Sequence, residues 1–433
     1  MRVILLVLDG LGVGEMPDVS RERPQDEGAN TLRSLIRNVR HLDLPNLIQL
    51  GIGNIISPAS FRSGSLAPRG RRRQGRRRQA VMLRGRSDRL QEEFAHPSPL
   101  ASYGRCRLAH TGADSYLGHQ EIMGTIPKPP MKTLMVQAAD HLEKELAARG
   151  HAVRRPLAGT SLLLVDEAVV IGDNLEADPG LNINVTVATD SIDFEEALRI
   201  GEVVRESVRV GRVIVFGGPG ITPDDILRLV EQRENGQVGV DSPALGVYNE
   251  HLQIQHMGYG VDPDRQAASL VSRMGIPVIL LGKMADLIVC SGAIKDPIVP
   301  TSLVMAALLD FYRRSERGLI AATLQETDLA AHEGDVFRVA SVLEEVDKGL
   351  GVLLPEIVPG DVLIICADHG NDPQKNVGLH TREETPLLIY RKGQPATSLG
   401  VRDTLADIGA TIAYLFNAPS TQDGAIIVNQ RTL

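Results

Sequence analysis

The stretch 361-DVLIICADHG-370 decides the fold of this chain. Its unbroken apolar run predicts a strand that is buried on both faces, and the Asp and His that follow mark the end of that strand. Similar runs open the chain as 1-MRVILLVLDG-10 and return as 318-GLIAATLQ-325. Helical patterns separate such strands along the chain, and this alternation predicts parallel strands joined by crossover helices in an α/β fold.

The rhythm of strands and helices also suggests how the chain is divided. We expect a mostly parallel sheet with helices on both faces, formed by residues 1–127 and 263–433 and interrupted by a smaller α/β insertion at 128–262. Within this insertion, 162-LLLVDEAVVIG-172 is typical of one strand and 224-DDILRLVEQ-232 of one helix.

Composition excludes several classes of protein. No apolar run approaches the length of a membrane span, and the first one, Val3–Leu8, is too short for a signal sequence. The three cysteines are widely spaced, which argues against a disulfide framework and favours a reducing cytoplasm. We therefore expect a cytoplasmic protein without a membrane partner.

One segment departs from this ordinary composition. Between Arg62 and Arg89 lie eleven arginines and one acidic residue, Asp88. The surrounding stretch 61–98 has neither helical nor strand periodicity, and we interpret it as a disordered insertion. It has few interleaved aromatic residues and lies inside a domain, which argues against nucleic acid as a partner. The sequence leaves the role of this segment open.

Candidate metal ligands cluster after three predicted strands. A lone Asp at such a place is usually a turn or helix cap, and an Asp and a His four residues apart can be a helix-surface pair. The conjunction of carboxylates and imidazoles at one sheet edge favours a metal site, with oxygen and nitrogen ligands that suit Mn²⁺, Mg²⁺ or Zn²⁺. The candidate ligands are Asp9, Asp328, His332, Asp368, His369 and His380.

This set exceeds the needs of one tetrahedral ion and suggests two divalent ions, which in known two-metal sites lie about 3.5–4 Å apart. Ser115, in 112-GADSYLGHQEIMG-124, then becomes a candidate nucleophile at the start of a predicted helix. A Ser/His/Asp triad with His119 is disfavoured, because the two residues lie on one short segment and no G-x-S-x-G elbow surrounds the serine.

At this point the sequence resembles a known family. The segments VILLVLDGLGVGEMPD, GKMADLI, ADHGND and HTREETPLLIY are similar to phosphopentomutases. The serine segment and the spacing of Asp328 and His332 look like those of cofactor-independent phosphoglycerate mutases. Both belong to the metal-dependent branch of the alkaline phosphatase superfamily, so the resemblance implies an alkaline-phosphatase-like core and a cap domain at 128–262.

The resemblance also implies roles for single residues. It assigns Asp9, Ser115, Asp368 and His369 to one ion and Asp328, His332 and His380 to the other. Ser115 would be the catalytic residue that carries a phosphoryl group. Mn²⁺ is the expected metal, with Mg²⁺ or Zn²⁺ as alternatives, and a sugar bisphosphate is a candidate activator. Asp190 resembles a cap residue that meets the substrate, and we add Lys283 and Arg382 as candidate phosphate contacts.

These expectations combine into a functional hypothesis. The chain would be a phosphomutase that moves a phosphoryl group within a small sugar phosphate, an isomerase that works through a phosphoserine. A metal-dependent phosphatase or phosphodiesterase using the same groups is the alternative, and a metal-binding protein without catalysis is a third. The family's arginine series after a strand like 212-RVIVF-216 has no match here, so the sugar stays open, as does the oligomeric state.

Overall fold

The computed structural model describes residues 1–55, 96, 98–177, 179–247, 251–375 and 378–427. Nearly all of the Arg-rich segment 61–98 falls outside this range, and the expectation of disorder there lies outside the described residues. The chain forms two compact units. The core unit comprises Met1–Ile126 and Asp262–Leu433, and the inserted unit comprises Pro127–Val261.

The strands are numbered here in chain order. They are β1 (Arg2–Leu8), β2 (Ala101–Cys106), β3 (Val153–Arg154), β4 (Leu163–Val165), β5 (Val169–Asp173), β6 (Asn182–Ala188), β7 (Arg212–Gly218), β8 (Val230–Gln232), β9 (Val238–Val240), β10 (Gln253–Gly258), β11 (Val278–Leu281), β12 (Ile294–Asp296), β13 (Gly318–Leu324), β14 (Val362–Cys366), β15 (Thr385–Tyr390) and β16 (Ser398–Arg402).

The α-helices are numbered in the same way. They are α1 (Val19–Glu22), α2 (Thr31–Asn38), α3 (Pro45–Leu50), α4 (Ser115–Ile122), α5 (Met135–Ala148), α6 (Phe194–Ser207), α7 (Pro223–Arg228), α8 (Ala267–Arg273), α9 (Lys283–Leu287), α10 (Thr301–Arg314), α11 (Glu326–His332), α12 (Val336–Glu356) and α13 (Ala406–Leu415).

The core unit is built on a sheet with strand order β12-β11-β13-β1-β14-β15-β2-β16. The strands from β12 to β14 are parallel neighbours, and β15 runs antiparallel to both β14 and β2. Side chains of β1 alternate between two hydrophobic clusters: Ile4, Leu6 and Leu8 pack with α2, α3, α10 and α12 on one face. Val3, Leu5 and Val7 pack with α8 and α13 on the other. The predicted α/β core with helices on both faces is confirmed.

The inserted unit has its own sheet, with strand order β10-β7-β6-β5-β4-β3. Only β6 and β7 pair in parallel among the described strands of this sheet, so the parallel pairing expected from the sequence rhythm is wrong here. One face is covered by α5 and α6, and the other packs with α7 and the β8–β9 hairpin.

Two element predictions in the inserted unit were also wrong. The stretch 162–172 is a hairpin of β4 and β5, because Asp166 and Glu167 adopt positive φ angles of 49° and 53° and turn the chain back. The predicted helix 224–232 ends at Arg228, and its last residues form β8. The apolar residues fit either structure, and pairing with β9 decides for a strand.

Within the described part of the chain, no helix is both long and apolar enough to cross a membrane.

Candidate metal centre

The candidate ligands meet at one edge of the core sheet. The neighbouring strands β13, β1 and β14 run in parallel, so their carboxyl ends lie side by side. Asp9 follows β1, Asp368 follows β14, and Asp328 lies in α11 just after β13. These three carboxylates are at most 2% exposed. Such close packing of buried acids requires compensating positive charge or hydrogen-bond donors.

A first ligand group consists of Asp9, Asp368 and His369. One oxygen or nitrogen atom from each residue lies within 4.8 Å of the other two. The hydroxyl of Ser115 donates to Oδ2 of Asp368 at 2.8 Å and so adjoins this group. Among the described residues, Oδ1 of Asp9 and Nε2 of His369 are buried without a hydrogen-bond partner. Such unpartnered atoms fit a divalent cation.

A second ligand group contains Asp328, His332 and His380. Nε2 of His332 lies 3.0 Å from Nε2 of His380 and 3.3 Å from Oδ2 of Asp328. The Nδ1 atoms of both rings face backbone carbonyl oxygens, Gly378 O at 3.1 Å and Ala113 O at 2.8 Å. Nδ1 is therefore the donor in each ring, which leaves Nε2 of each neutral ring as a possible metal ligand. The two Nε2 atoms and the Asp328 carboxylate converge, so this arrangement also fits a metal ion.

His369 lies next to both ligand groups, whereas the family resemblance assigned it to the first group only. It stacks on His380 with ring centroids 3.8 Å apart. Asp328, His369 and His380 also have ligand atoms within 4.8 Å of one another. The structure thus places His369 between the two groups rather than with the first alone.

Lys283 provides a fixed positive charge beside the carboxylates. Its Nζ lies 2.7 Å from Oδ2 of Asp9, 3.3 Å from Oδ2 of Asp328 and 3.4 Å from Oγ of Ser115. Burial lowers the pKa of Lys283, but the attraction of these carboxylates has the larger, opposite effect. The pKa of Lys283 is therefore above its ordinary value. The ammonium group is therefore charged where it faces the serine hydroxyl.

The acids of the centre differ in their protonation. Burial, with a contribution from the Asp368 carboxylate, raises the pKa of Asp9 to about 7. Burial also disfavours the charged form of Asp368, but the His369 and His119 imidazoles outweigh it and hold the pKa of Asp368 well below its usual range. Asp368 is thus an ionised acceptor for the proton of Ser115.

Helix α4 brings Ser115 to this edge. Asp114 caps the helix by accepting a hydrogen bond from Leu117 N at 3.0 Å, so Ser115 is the first helical residue. A Cβ on Gly118 would lie 2.5 Å from the carbonyl oxygen of Asp368, so only glycine permits this close approach of helix and strand end. The helix N-terminus at Ser115 also favours a negatively charged group.

Two further residues orient the site, a role that was not predicted for them from the sequence. His119 Nδ1 lies 2.8 Å from the Ser115 carbonyl oxygen and 3.1 Å from Oδ2 of Asp368, and its Nε2 lies 2.8 Å from the Thr323 hydroxyl. His119 therefore orients Asp368. In the disfavoured triad it would instead have been the base for the Ser115 hydroxyl. Asn371 donates to Oδ1 of Asp328 at 2.8 Å. His119 lies in the quoted serine motif and Asn371 in the ADHGND motif, so these motifs could have indicated both residues.

The other two candidate contacts lie in different surroundings. Asp190 is exposed in the inserted unit and accepts a hydrogen bond from Gly220 N at 2.7 Å. Arg382 lies in the core unit, is 3% exposed, and directs its guanidinium group at protein oxygens. This burial does not favour the phosphate contact that was expected of Arg382.

The chain is similar to a known protein family and to individual known proteins. Residues 244–420 match the family described as Metalloenzyme superfamily. The chain is 27% identical to a phosphopentomutase of Symbiobacterium thermophilum, over 99% of this chain and 98% of that protein. It is 29% identical to a phosphopentomutase of Desulfitobacterium hafniense, over 98% and 97%. The resemblance expected from the motifs is confirmed.

A solved structure of Leishmania mexicana phosphoglycerate mutase at low cobalt concentration is 12% identical, with a TM-score of 0.40 over 98% of this chain and 96% of that one.

Proposed function

We propose that this chain, which carries a metalloenzyme superfamily domain and is similar along its length to phosphopentomutases, moves a phosphoryl group within a pentose phosphate through phosphorylated Ser115. The similarity supports a metal-dependent phosphomutase, which is an isomerase. The observation that carries the proposal is the hydrogen bond from Ser115 to Asp368, a buried, ionised member of the first of two groups of metal-type ligands.

The proposed cofactor is a pair of divalent ions, with Mn²⁺ favoured by the mixture of carboxylate, hydroxyl and imidazole ligands. When bound, such ions would polarise phosphoryl oxygens and lower the pKa of a nearby serine hydroxyl. The proposed holders of one ion are Asp9, Ser115, Asp368 and His369. The proposed holders of the other are Asp328, His332 and His380, with His369 adjoining both.

Residues of the chain account for the proton and the charge in each transfer. When Ser115 Oγ attacks a phosphorus atom of a sugar bisphosphate, its proton passes to Asp368 Oδ2, 2.8 Å away. The bond from phosphorus to the sugar oxygen breaks, and that oxygen takes up a proton from water. Lys283 faces the same hydroxyl and offsets the negative charge of the phosphoryl group. In the return step a sugar hydroxyl attacks phosphoserine and the bond from phosphorus to Ser115 Oγ breaks. Oγ then takes back the proton from Asp368, and the proton of the sugar hydroxyl passes to water.

The inserted unit is proposed to act as the cap of the enzyme. A phosphoserine that meets water is hydrolysed, so a mutase must exclude water from the intermediate. The exposed Asp190 is a proposed substrate contact of this unit. A pentose is favoured by the similarity to phosphopentomutases, and a sugar bisphosphate is the proposed activator.

We also propose a cytoplasmic location. Cys106, Cys290 and Cys366 are all buried free thiols, which suits a reducing compartment.

Intact-protein mass spectrometry tests the proposal. Enzyme loaded with Mn²⁺ is incubated briefly with a pentose bisphosphate, and the Ser115→Ala variant is treated in parallel. We expect a stable added phosphoryl group that maps to Ser115, together with interconversion of pentose 1- and 5-phosphates and no release of free phosphate. Accumulation of free phosphate without isomerisation would overturn the mutase assignment in favour of a phosphatase.

A further inference from the structure

The guanidinium group of Arg382 donates all of its hydrogen bonds to protein oxygens. It makes five hydrogen bonds, and a guanidinium group has five N–H donors. Two go to the carboxylate of Asp18, each at 2.9 Å. The other three go to the carbonyl oxygens of Leu108 at 3.1 Å, His110 at 2.8 Å and Gly112 at 2.6 Å. No donor of this side chain is left for a phosphate.

The three carbonyl oxygens belong to the segment that leads into Ser115. Two amides of the same segment are bound by a different side chain, because Glu121 accepts hydrogen bonds from Ala109 N and His110 N, each at 3.0 Å. Nδ1 of His110 also lies 2.6 Å from the Glu121 carboxylate. Glu121 is part of α4, the helix that begins at Ser115. Arg382 thus binds the carbonyl oxygens of the segment 108–112, and Glu121 binds its amides.

Arg382 also connects this segment to the candidate ligands. It lies two residues after His380, whose Nδ1 lies 2.8 Å from the Ala113 carbonyl oxygen. The backbone around Arg382 is fixed in turn, because Arg382 N donates to Asp26 at 2.9 Å and its carbonyl oxygen accepts from Met16 N at 3.1 Å. Segment 380–382 therefore contacts the segment that leads into Ser115 through two side chains, those of His380 and Arg382.

We propose that Arg382 is a positioning residue that fixes the Ser115 segment against the His380 segment and contacts no substrate. The inference deepens the proposed function, on which its kinetic part rests. Lysine cannot replace this arginine, because an ammonium group has three donors and lacks the planar fork that serves Asp18 and three carbonyl oxygens together. Misplacement of a reacting group by about 1 Å can cost about 100-fold in rate.

The first test compares Arg382→Lys with wild-type enzyme loaded with Mn²⁺. We expect kcat to fall about 10- to 100-fold while KM for the pentose phosphate stays within about twofold, because the substrate is still bound but the nucleophile is displaced. Backbone amide hydrogen exchange in 108–115 should become faster. A raised KM with unchanged kcat and unchanged exchange would identify a substrate contact and overturn the proposal.

Arg2→Lys is the matched control. Arg2 likewise pairs with a buried carboxylate, Asp361, and donates to the carbonyl oxygens of Tyr312 and Ser315. It stands at the start of β1, whereas the candidate ligands stand at the other end. We expect Arg2→Lys to lower stability without changing kcat or exchange in 108–115. If Arg2→Lys changed kcat and exchange in 108–115 as much as Arg382→Lys does, a general loss of stability would explain both results and the proposal would fail.

Two further variants keep the test decisive. Asp18→Asn removes the charge partner at a partly exposed position and should speed exchange in 108–115 less than Arg382→Lys does. Added guanidinium ion should restore part of the kcat of Arg382→Ala, and absence of rescue together with wild-type exchange would overturn the proposal. Exchange requires no turnover, so it decides the positioning role even if the enzyme proved to release phosphate and the proposed function failed.

Discussion

Two fully buried carboxylates, one in each unit, have opposite chemistry. Asp368 in the core unit and Asp173 in the inserted unit both have 0% exposed surface. Asp368 accepts hydrogen bonds from Ser115 Oγ and Gly10 N and faces His369 and His119. Asp173 accepts bonds from the backbone amides of Met135 and Val238, at 2.9 and 2.8 Å. The two acids differ in their partners rather than in their burial.

The partners set the charge. Burial raises the pKa of Asp173, and its two amide donors only reduce that effect. At Asp368 the imidazoles of His369 and His119 outweigh burial, so its pKa lies well below the ordinary value. Burial alone therefore moves a carboxyl towards its neutral form, whereas converging imidazoles keep it ionised for chemistry. Asp173 instead joins the start of α5 to β9, which is a structural role.

The largest expected effect concerns the hydroxyl that donates to Asp368. Ser115→Ala should lower kcat by about a thousandfold or more, because the nucleophile is removed, while leaving bound metal nearly unchanged. Metal analysis and a pentose phosphate isomerisation assay measure the two quantities. Ser272→Ala is a suitable control, since the Ser272 hydroxyl donates to the Ser291 carbonyl oxygen at 2.9 Å. Retained turnover in Ser115→Ala would rule out the nucleophile assignment.

The paired substitutions Asp368→Asn and Asp173→Asn test the comparison itself. We expect Asp368→Asn to weaken binding of at least one ion by more than about 10-fold, because a charged ligand is lost. Asp173→Asn should leave metal content at the wild-type value and reduce stability through one lost acceptor, by about 1–3 kcal/mol. Metal titration and chemical denaturation provide the measurements. Full two-ion occupancy in Asp368→Asn would contradict the proposed ligand set.

Removal of the core unit's buried ammonium group should have a smaller effect. Lys283→Ala is expected to lower kcat/KM for the pentose phosphate by about 10- to 100-fold, because the charge that faces Ser115 and the phosphoryl group is lost. Lys295→Ala is the control, since Nζ of Lys295 donates to the Ile288 carbonyl oxygen at 2.7 Å. Steady-state kinetics measure this effect. Equal kcat/KM values for Lys283→Ala and wild type would show that Lys283 has no role in the reaction.

The smallest expected effect is a pH dependence in the inserted unit. The folded pKa of Asp173 is raised above its unfolded value of about 3.8, so the folded state binds this proton more tightly. Its stabilising contribution is complete below the unfolded pKa and is lost as pH rises through the folded pKa. Denaturation of the full chain at several pH values should therefore show wild type losing stability relative to Asp173→Asn as pH rises. A pH-independent difference would contradict the raised pKa.

The sequence by itself determined the core of the fold and the composition of the candidate site. From Val3 to Leu8, β1 is apolar at every position, which forces burial on both faces and hence a parallel sheet between helices. Because a strand end is local information, the positions of Asp9, Asp328 and Asp368 at one sheet edge could be expected before the structure. The run that follows Ser115 likewise predicted a helix start, and the structure has a helix that begins at Ser115.

Only the tertiary structure decided which of these groups touch. Ser115 and Asp368 lie 253 positions apart, and Arg382 reaches back 272 positions to His110. No local pattern encodes such contacts, so neither the position of His369 between two ligand groups nor the buried engagement of Arg382 could be predicted. In the inserted unit, apolar segments fit helix or strand equally, and pairing between β8 and β9 decided the outcome. Local chemistry selects the residues, whereas packing over long sequence separations selects their partners.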